Sequence, residues 1–478
     1  MPTSHEWLMF MKGGDIYGGI MSVRVPGQRI VILNSPQAAV DLLEKRGAKY
    51  ADRPRLVVAG EMIGWDRALV LCRYSERLRI MRRMLAQFIG GRAQVAKFYD
   101  IINEETRRTL QRILREPDEL SEHIRRNAGA IILKIGYGYS VQDGRDPLVD
   151  IVDRSGQGFA ASTPPGAFLA DVIPILRYIP SWFPGAGWKR QVDQWTKDTT
   201  DTYDVPYEMV KAQIRQGTAD THNFVTTNFQ YGQIYPANED ILKGVTASLY
   251  GGGADTTVSS VYSFFLATVL YPDVRKRAQA EIDNVIGNDE LPTFEDRERL
   301  PYVSALCSEV LRWMPVAPLG APHRLIEDDV YEGYHFSKGT LFVPNIWCVW
   351  NTVARLWCLS RPPQEFLHDP QTYHDPMAFK PERFLAENGR TPELDPRIYV
   401  FGFGRRICPG MHLAEVSVFV ACSMALATLN ITKAIVDGEE MTPSAESLTS
   451  TVSHPKPFKC TIKAKSAHAV ELLYSEDH

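Results

Sequence analysis

Ten consecutive residues, Phe401-Gly402-Phe403-Gly404-Arg405-Arg406-Ile407-Cys408-Pro409-Gly410, limit what this chain can fold into more than any other feature. They hold a cysteine in a glycine-bracketed loop immediately ahead of an apolar helical stretch. There the positive end of the following helix and the neighbouring arginines would stabilise a thiolate. A free cysteine is ordinarily a small buried hydrophobe, and Cys72 and Cys422 read that way. Around Cys408 an aromatic, two glycines and an arginine stand at fixed offsets, F-x-x-G-x-R-x-C-x-G, a pattern with few chance matches.

The rest of the composition narrows the class. The 7 cysteines are odd in number and scattered, with no CxxC pair and no metal-finger spacing, which fits a reducing compartment. With 53 basic against 57 acidic side chains the formal charge is −4, so no positive excess favours a nucleic-acid partner. The most apolar stretch, residues 416–429, is shorter than the roughly 20 residues needed to cross a bilayer, and no secretory pattern opens the chain.

Periodicity predicts a mainly α-helical protein. Strand-like runs at 20–25 and 29–33 flank Pro26-Gly27 as a hairpin. Ser35 and Pro36 open a helix that Gly47 should stop. Helical pattern then covers 74–88, 95–115, 119–136, 188–216, 239–270 and 272–286, with Pro/Gly-rich joints at 162–167 and 180–187. A short helix to Trp313, strand-like pieces at 330–334 and 340–343, and a helix at 411–429 complete a single unit with a small sheet-rich lobe. No internal repeat and no long linker divides residues 1–478.

The cysteine segment resembles the haem-ligand loop of the haem-thiolate monooxygenases, the cytochrome P-450 superfamily, in its fungal microsomal-type branch. The resemblance implies that Cys408 is the axial thiolate of haem b, pushing electron density that favours O–O cleavage. It also implies that Arg406 pairs with a propionate, that Phe401 shields the sulfur, and that Gly404 and Gly410 shape the loop. Gly252-Gly253-Ala254-Asp255-Thr256-Thr257 resembles the family's oxygen-activation segment. Three glycines, Gly251 to Gly253, cost roughly 1 kcal/mol each against alanine inside a helix. The functional account is a groove and a local widening where dioxygen binds, with Asp255 and Thr256 relaying protons. The bland account is close helix packing.

Glu309-Val310-Leu311-Arg312 alone is one of many i, i+3 ion pairs. With Pro381-Glu382-Arg383-Phe384 it resembles the family's Glu-Arg-Arg triad, so Glu309, Arg312 and Arg383 are expected to be structural. Arg82 and Arg324 match two further propionate-binding arginines, although Leu78 stands where the W-x-x-x-R helix carries tryptophan. The histidines, His412 among them, read as ordinary polar residues. The fold implied is a triangular helical prism with a small β-rich lobe and haem between the helices of Asp255 and Cys408.

The reaction implied is insertion of one oxygen atom from dioxygen into a small lipophilic substrate, in fungal secondary metabolism. Electrons would come from NADPH through a separate reductase, with cytochrome b5 as a second donor; no dinucleotide fingerprint is evident in the chain itself. Arg77, Arg79, Arg82 and Arg83 are expected to face that reductase. A substrate pocket is expected from 57–71, 159–175, 251–257, 315–319 and 447–452. Two departures stand out. The chain begins where the family's folded domain begins, without its membrane anchor, so membrane contact is expected to be peripheral, at the cytosolic face of the endoplasmic reticulum or in the cytoplasm. Residues 348–367 read as an atypical insertion, of the kind a retained intron produces. Two competing readings are a haem-thiolate isomerase or dehydratase, which Asp255 and Thr256 argue against, and a haem-binding but impaired product of a truncated or mis-spliced gene.

Overall fold

The computed structural model describes residues 5–142, 144–164, 166–230, 239–348, 367–370, 372–387 and 389–475. Residues 349–366 of the suspected insertion lie outside them.

Two helices form the middle of the molecule. Glu239–Leu270 is 32 residues long, and from Thr257 to Val269 every side chain is buried. A helix that is apolar on all sides must be surrounded by protein, and the Leu120–Tyr137 helix lies along this one. Met411–Thr428 is the second. It is long and apolar enough to span a membrane, but it is packed inside the core. Trp188–Gln216 and Pro272–Val285 flank this pair, as the periodicity predicts.

The hairpin forms as predicted, with Ile20–Val25 paired antiparallel to Gln28–Leu33 and Gly27 taking the positive φ (74°) that a Pro-Gly turn requires. Leu341–Pro344 adds to it in parallel and His323–Arg324 follows, making a four-stranded sheet. A second sheet joins Leu429–Val436 to Glu439–Met441 and Cys460–Ala464.

Three expectations fail. Gly47 does not stop its helix. A widened turn, Val40–Lys45, leads into a further turn at Gly47–Tyr50, where Gly47 is buried with the Arg405 backbone 3.9 Å from where a Cβ would sit. The Pro147–Ser162 helix was not predicted, although Asp146 caps it by accepting from the Leu148 and Val149 amides and Pro147 opens it. Nor does the long central helix widen: its backbone stays α-helical through Gly251–Thr257.

The segment 348–367 leaves and rejoins the fold at one place. The Leu367 amide donates to the Ile346 carbonyl at 3.3 Å, and His368 stacks on Trp347 at 4.4 Å between ring centroids.

Candidate active site

Between the Glu239–Leu270 and Met411–Thr428 helices lies a cavity of about 960 Å³, and the Cys408 side chain opens into it. The loop is shaped by backbone. Gly402 and Gly404 have φ of 79° and 50°, and the Cys408 amide donates to the Phe401 carbonyl at 2.8 Å. A Cβ on Gly404 would sit 2.5 Å from the Leu43 carbonyl oxygen and 3.0 Å from the Glu44 Cα. Gly404→Ala therefore combines a left-handed φ with a backbone clash, and should destabilise by roughly 1–3 kcal/mol or displace the loop. Thermal melting together with cofactor content checks this; an unchanged protein would contradict it. Burial pushes the Cys408 thiol up, against the opposing influences of the Gly410 amide and the Arg82 charge.

One wall of the cavity gathers three arginines and a histidine whose side chains, among the described residues, bond to backbone carbonyls. Arg53 donates to the carbonyls of Val70, Ala321 and Pro322, and Arg406 to those of Ala51, Leu69 and Cys72. Arg82 donates to the Ile407 carbonyl at 2.9 Å, and His323 Nδ1 sits 2.9 Å from the Tyr50 carbonyl. All four line the cavity. Burial lowers all four: Arg406 is pushed down to about 10 although Cys72 and Asp52 oppose the shift, while Arg53 and His323, each also repelled by a neighbouring arginine, fall well below their ordinary values. Buried arginines whose side-chain donors go to carbonyl dipoles, with Asp52 as an opposing charge and a neutral His323 beside them, make a site suited to an anionic partner.

Arg324 is not among these residues. It is turned to Asp52 (3.1 Å), which also binds Arg73 at 2.8 Å. The reason is strand geometry: successive side chains point to opposite faces, so His323 takes the inner position and Arg324 the outer. Leu78 is packed in the core. Neither Arg53 nor His323 was singled out from sequence, and neither carries a local signal.

The opposite wall is the glycine-rich part of the central helix, and it divides the two accounts of the triplet. A Cβ on Gly253 would meet Ile132 Cδ1 at 2.7 Å, so this glycine serves close packing, whereas Gly251 and Gly252 face open space. Thr256 lines the cavity, with its hydroxyl donating to the Gly252 carbonyl at 2.7 Å. Asp255 Oδ1 lies 3.1 Å from Arg125 Nη1 and 3.2 Å from His454 Nε2. Burial would raise this carboxyl, but His454 and Arg125 outweigh it and hold Asp255 below its ordinary range. Asp153, 3.7 Å from Arg125, is pushed up to about 6 by burial. The cavity-facing His323 and the Asp255-bound His454 correct the reading of the histidines as ordinary polar residues.

The remaining lining is largely apolar. Trp65, Leu69, Phe159, Val316 and Val452 come from the expected stretches, but Leu169, Ile173 and Ile175 point outward. The Leu120–Tyr137 helix contributes Ala128, Ile131 and Ile132, which were not expected.

Away from the cavity, Glu309, Arg312 and Arg383 meet in the core. Arg312 grips both Glu309 oxygens (2.7 and 2.8 Å), and Arg383 Nε reaches Oε1 at 3.1 Å. The Leu367, Pro376 and Ala378 carbonyls take further Arg312 donors, and Glu393 takes one from Arg383 at 2.6 Å. Of the four arginines expected on a docking face, Arg77 is held by Asp240 at 2.5 Å and Arg82 turns inward. Arg79 and Arg83 remain outside, with Arg73 and Arg405 also exposed.

The family model for Cytochrome P450 matches residues 4–353 and 359–462. The chain is 49% identical to Cytochrome P450 monooxygenase 208 of Postia placenta, over 99% of this chain and 89% of that protein. It is 44% identical to Cytochrome P450 monooxygenase claR of Ampulloclitocybe clavipes, over 100% of this chain and 86% of that protein. Among solved structures, a zebra fish cytochrome P450 with progesterone superposes with a TM-score of 0.77 at 21% identity, covering 97% of this chain and 100% of that one.

Proposed function

Because the chain belongs to the cytochrome P450 family and is a monooxygenase, we propose that it oxygenates a small lipophilic fungal secondary metabolite, with Cys408, Asp255 and Thr256 at the centre of the chemistry. The family's cofactor is haem, and the residues present fit it. A thiol opens into a cavity large enough for both cofactor and ligand, beside buried arginines whose side-chain donors go to backbone carbonyls. That combination carries the reading.

In this reading Cys408 would supply the thiolate ligand, while Arg53, Arg82, His323 and Arg406 would hold the propionates. When bound, haem supplies the redox chemistry that activates dioxygen. The chain's own residues do the rest. Gly251 and Gly252 leave open space on the cavity wall, room that would admit a diatomic molecule. Thr256 holds a hydroxyl at that room's edge, and Asp255 is ionised and placed to hand on protons. The apolar roof of Trp65, Leu69, Phe159 and Val452 excludes water and orients substrate by shape.

Electrons from NADPH would arrive through a separate reductase at the face bearing Arg73, Arg79, Arg83 and Arg405. A rate of reduction indifferent to ionic strength would contradict electrostatic docking there.

Product oxygen derived from labelled dioxygen tests the reaction class, since an isomerase or dehydratase would carry none. Asp255→Asn and Thr256→Ala should each lower product formation by roughly 10²-fold or more, with reducing equivalents diverted to hydrogen peroxide. Turnover at the wild-type rate would remove both residues from the mechanism.

The stretch that points outward has its own chemistry. Leu169, Ile175, Tyr178 and Trp182 are each more than 70% exposed, and Ile173 and Phe183 are about half exposed, which makes an apolar surface with few polar interruptions. We infer peripheral contact with a bilayer there, in keeping with the cytosolic face of the endoplasmic reticulum. The double variant Ile175→Ser, Trp182→Ser should bind phosphatidylcholine vesicles roughly tenfold or more weakly. Unchanged partitioning would place any membrane contact elsewhere.

A further inference from the structure

We propose that His454 is a positioning residue that holds Asp255 and ties its orientation to the substrate side of the cavity; this rests on the reading of Asp255 as a proton-handling carboxylate. His454 belongs to a turn spanning 447–455. Ser447 and Pro455 pair across its base, and the Leu448 amide donates to the His454 carbonyl at 2.7 Å.

The turn is fixed at its base by His5, whose amide donates to the Thr449 hydroxyl at 2.9 Å and whose Nε2 sits 2.9 Å from the Ser447 carbonyl, and further along by three other elements. The Ser453 amide donates to the Val316 carbonyl at 2.8 Å, and the Ser259 hydroxyl donates to the Ser453 carbonyl at 2.5 Å. The Thr451 and Thr163 hydroxyls meet at 3.1 Å. Between these anchors Thr451 and Val452 face the cavity. The tip of the turn therefore touches the space a substrate fills, while its returning limb carries the imidazole that meets Asp255.

Both donors to Asp255 converge on Oδ1, from different elements. Arg125 comes from the Leu120–Tyr137 helix and is shared with a second carboxylate, Asp153. His454 comes from the turn. A carboxylate held by two charge-assisted contacts is fixed in direction, and reaching the neighbouring Thr256 requires one contact to yield. Both elements reach the cavity, but Arg125 stands on an 18-residue helix packed along its length whereas His454 stands on a short turn, so the turn is the element that a bound molecule can shift. Filling the cavity against Val452 then loosens the hold on Asp255, and an empty cavity leaves it in place.

The infrared C–O stretch of the haem-loaded, dithionite-reduced, carbon-monoxide-bound protein reads polarity above the iron without turnover. The Soret position of each variant verifies thiolate ligation. His454→Ala should shift or split the C–O band, and His454→Gln, which keeps an N–H donor, should return it toward wild type. Val452→Trp, which crowds the turn from the cavity side, should move the band in the direction of His454→Ala. An unmoved band in His454→Ala, or a glutamine variant displaced as far as alanine, overturns the assignment. An unmoved band in Val452→Trp overturns the link to the substrate side. Asp255→Asn separates the two levels: if it leaves the band in place, the reading of Asp255 itself fails. A shift in Asp255→Asn with none in His454→Ala defeats only the present inference.

Discussion

Replacing Cys408 by serine should leave a folded protein whose reduced, carbon-monoxide-treated form lacks the thiolate Soret band and whose turnover falls by more than about a thousandfold, equivalent to about 4 kcal/mol in the barrier. The fold should survive because the loop is held by backbone. Gly402 and Gly404 set its turns, and the amide at position 408 still donates to the Phe401 carbonyl. What is lost is the sulfur. Serine is far less acidic than a thiol and a poor ligand for a soft site, so electron donation to the iron ends. Haem can still be captured by the cation wall of Arg53, Arg82, His323 and Arg406, which makes the spectrum the decisive measurement. A serine variant that retained the thiolate band and activity would remove Cys408 from the centre of the site.

The largest effect on stability is expected at Glu309. Glu309→Ala leaves Arg312 and Arg383 with their charges in a core where both are buried. Breaking a buried pair from one side costs roughly 3–5 kcal/mol, a large share of the 5–15 kcal/mol that holds a typical domain together. The damage should spread toward the cysteine loop. Arg383 fastens the segment after His374, and its carbonyl accepts from the Glu393 amide at 2.7 Å. Expected results are a melting temperature lowered by several degrees and a haem-to-protein ratio well below that of wild type. Glu393→Ala is the internal comparison: its carboxylate is partly exposed, so water can replace it, and the loss should be smaller. Equal effects of the two substitutions would mean that burial is not what makes the triad costly to break.

How much of this was legible in the sequence depended on how local each signal is. The cysteine loop and the helix after it could be read because turn chemistry, ligand and helix start lie within a few residues of one another. The triad was legible only as a pair of short motifs, and its further acceptors, Glu393 and the Leu367 carbonyl, became visible only in three dimensions. Arg53 and His454 lie about 400 residues apart in sequence, and neither sits in a pattern that announces a role. Adjacent positions misled as well. The arginine in Pro322-His323-Arg324 resembled a propionate ligand, but the pleat of a two-residue strand gives that place to histidine. The Gly251–Gly253 run held two functions that no spacing rule could separate, with one glycine admitting a neighbouring isoleucine and two leaving space. Missing the Pro147–Ser162 helix also hid the polar row of Asp150, Asp153 and Gln157 on the cavity wall.

The meeting of Ile346 with Leu367 has a bearing on the gene as well as on the protein. The chain departs and returns at neighbouring points, so its two ends are held together whatever the length between them, and the entropy of closing such a loop grows slowly with length. Selection has little purchase on its size. Coding sequence acquired or removed between these two points is tolerated as long as Ile346 keeps its place on the cavity wall and the Leu367 carbonyl its bond to Arg312.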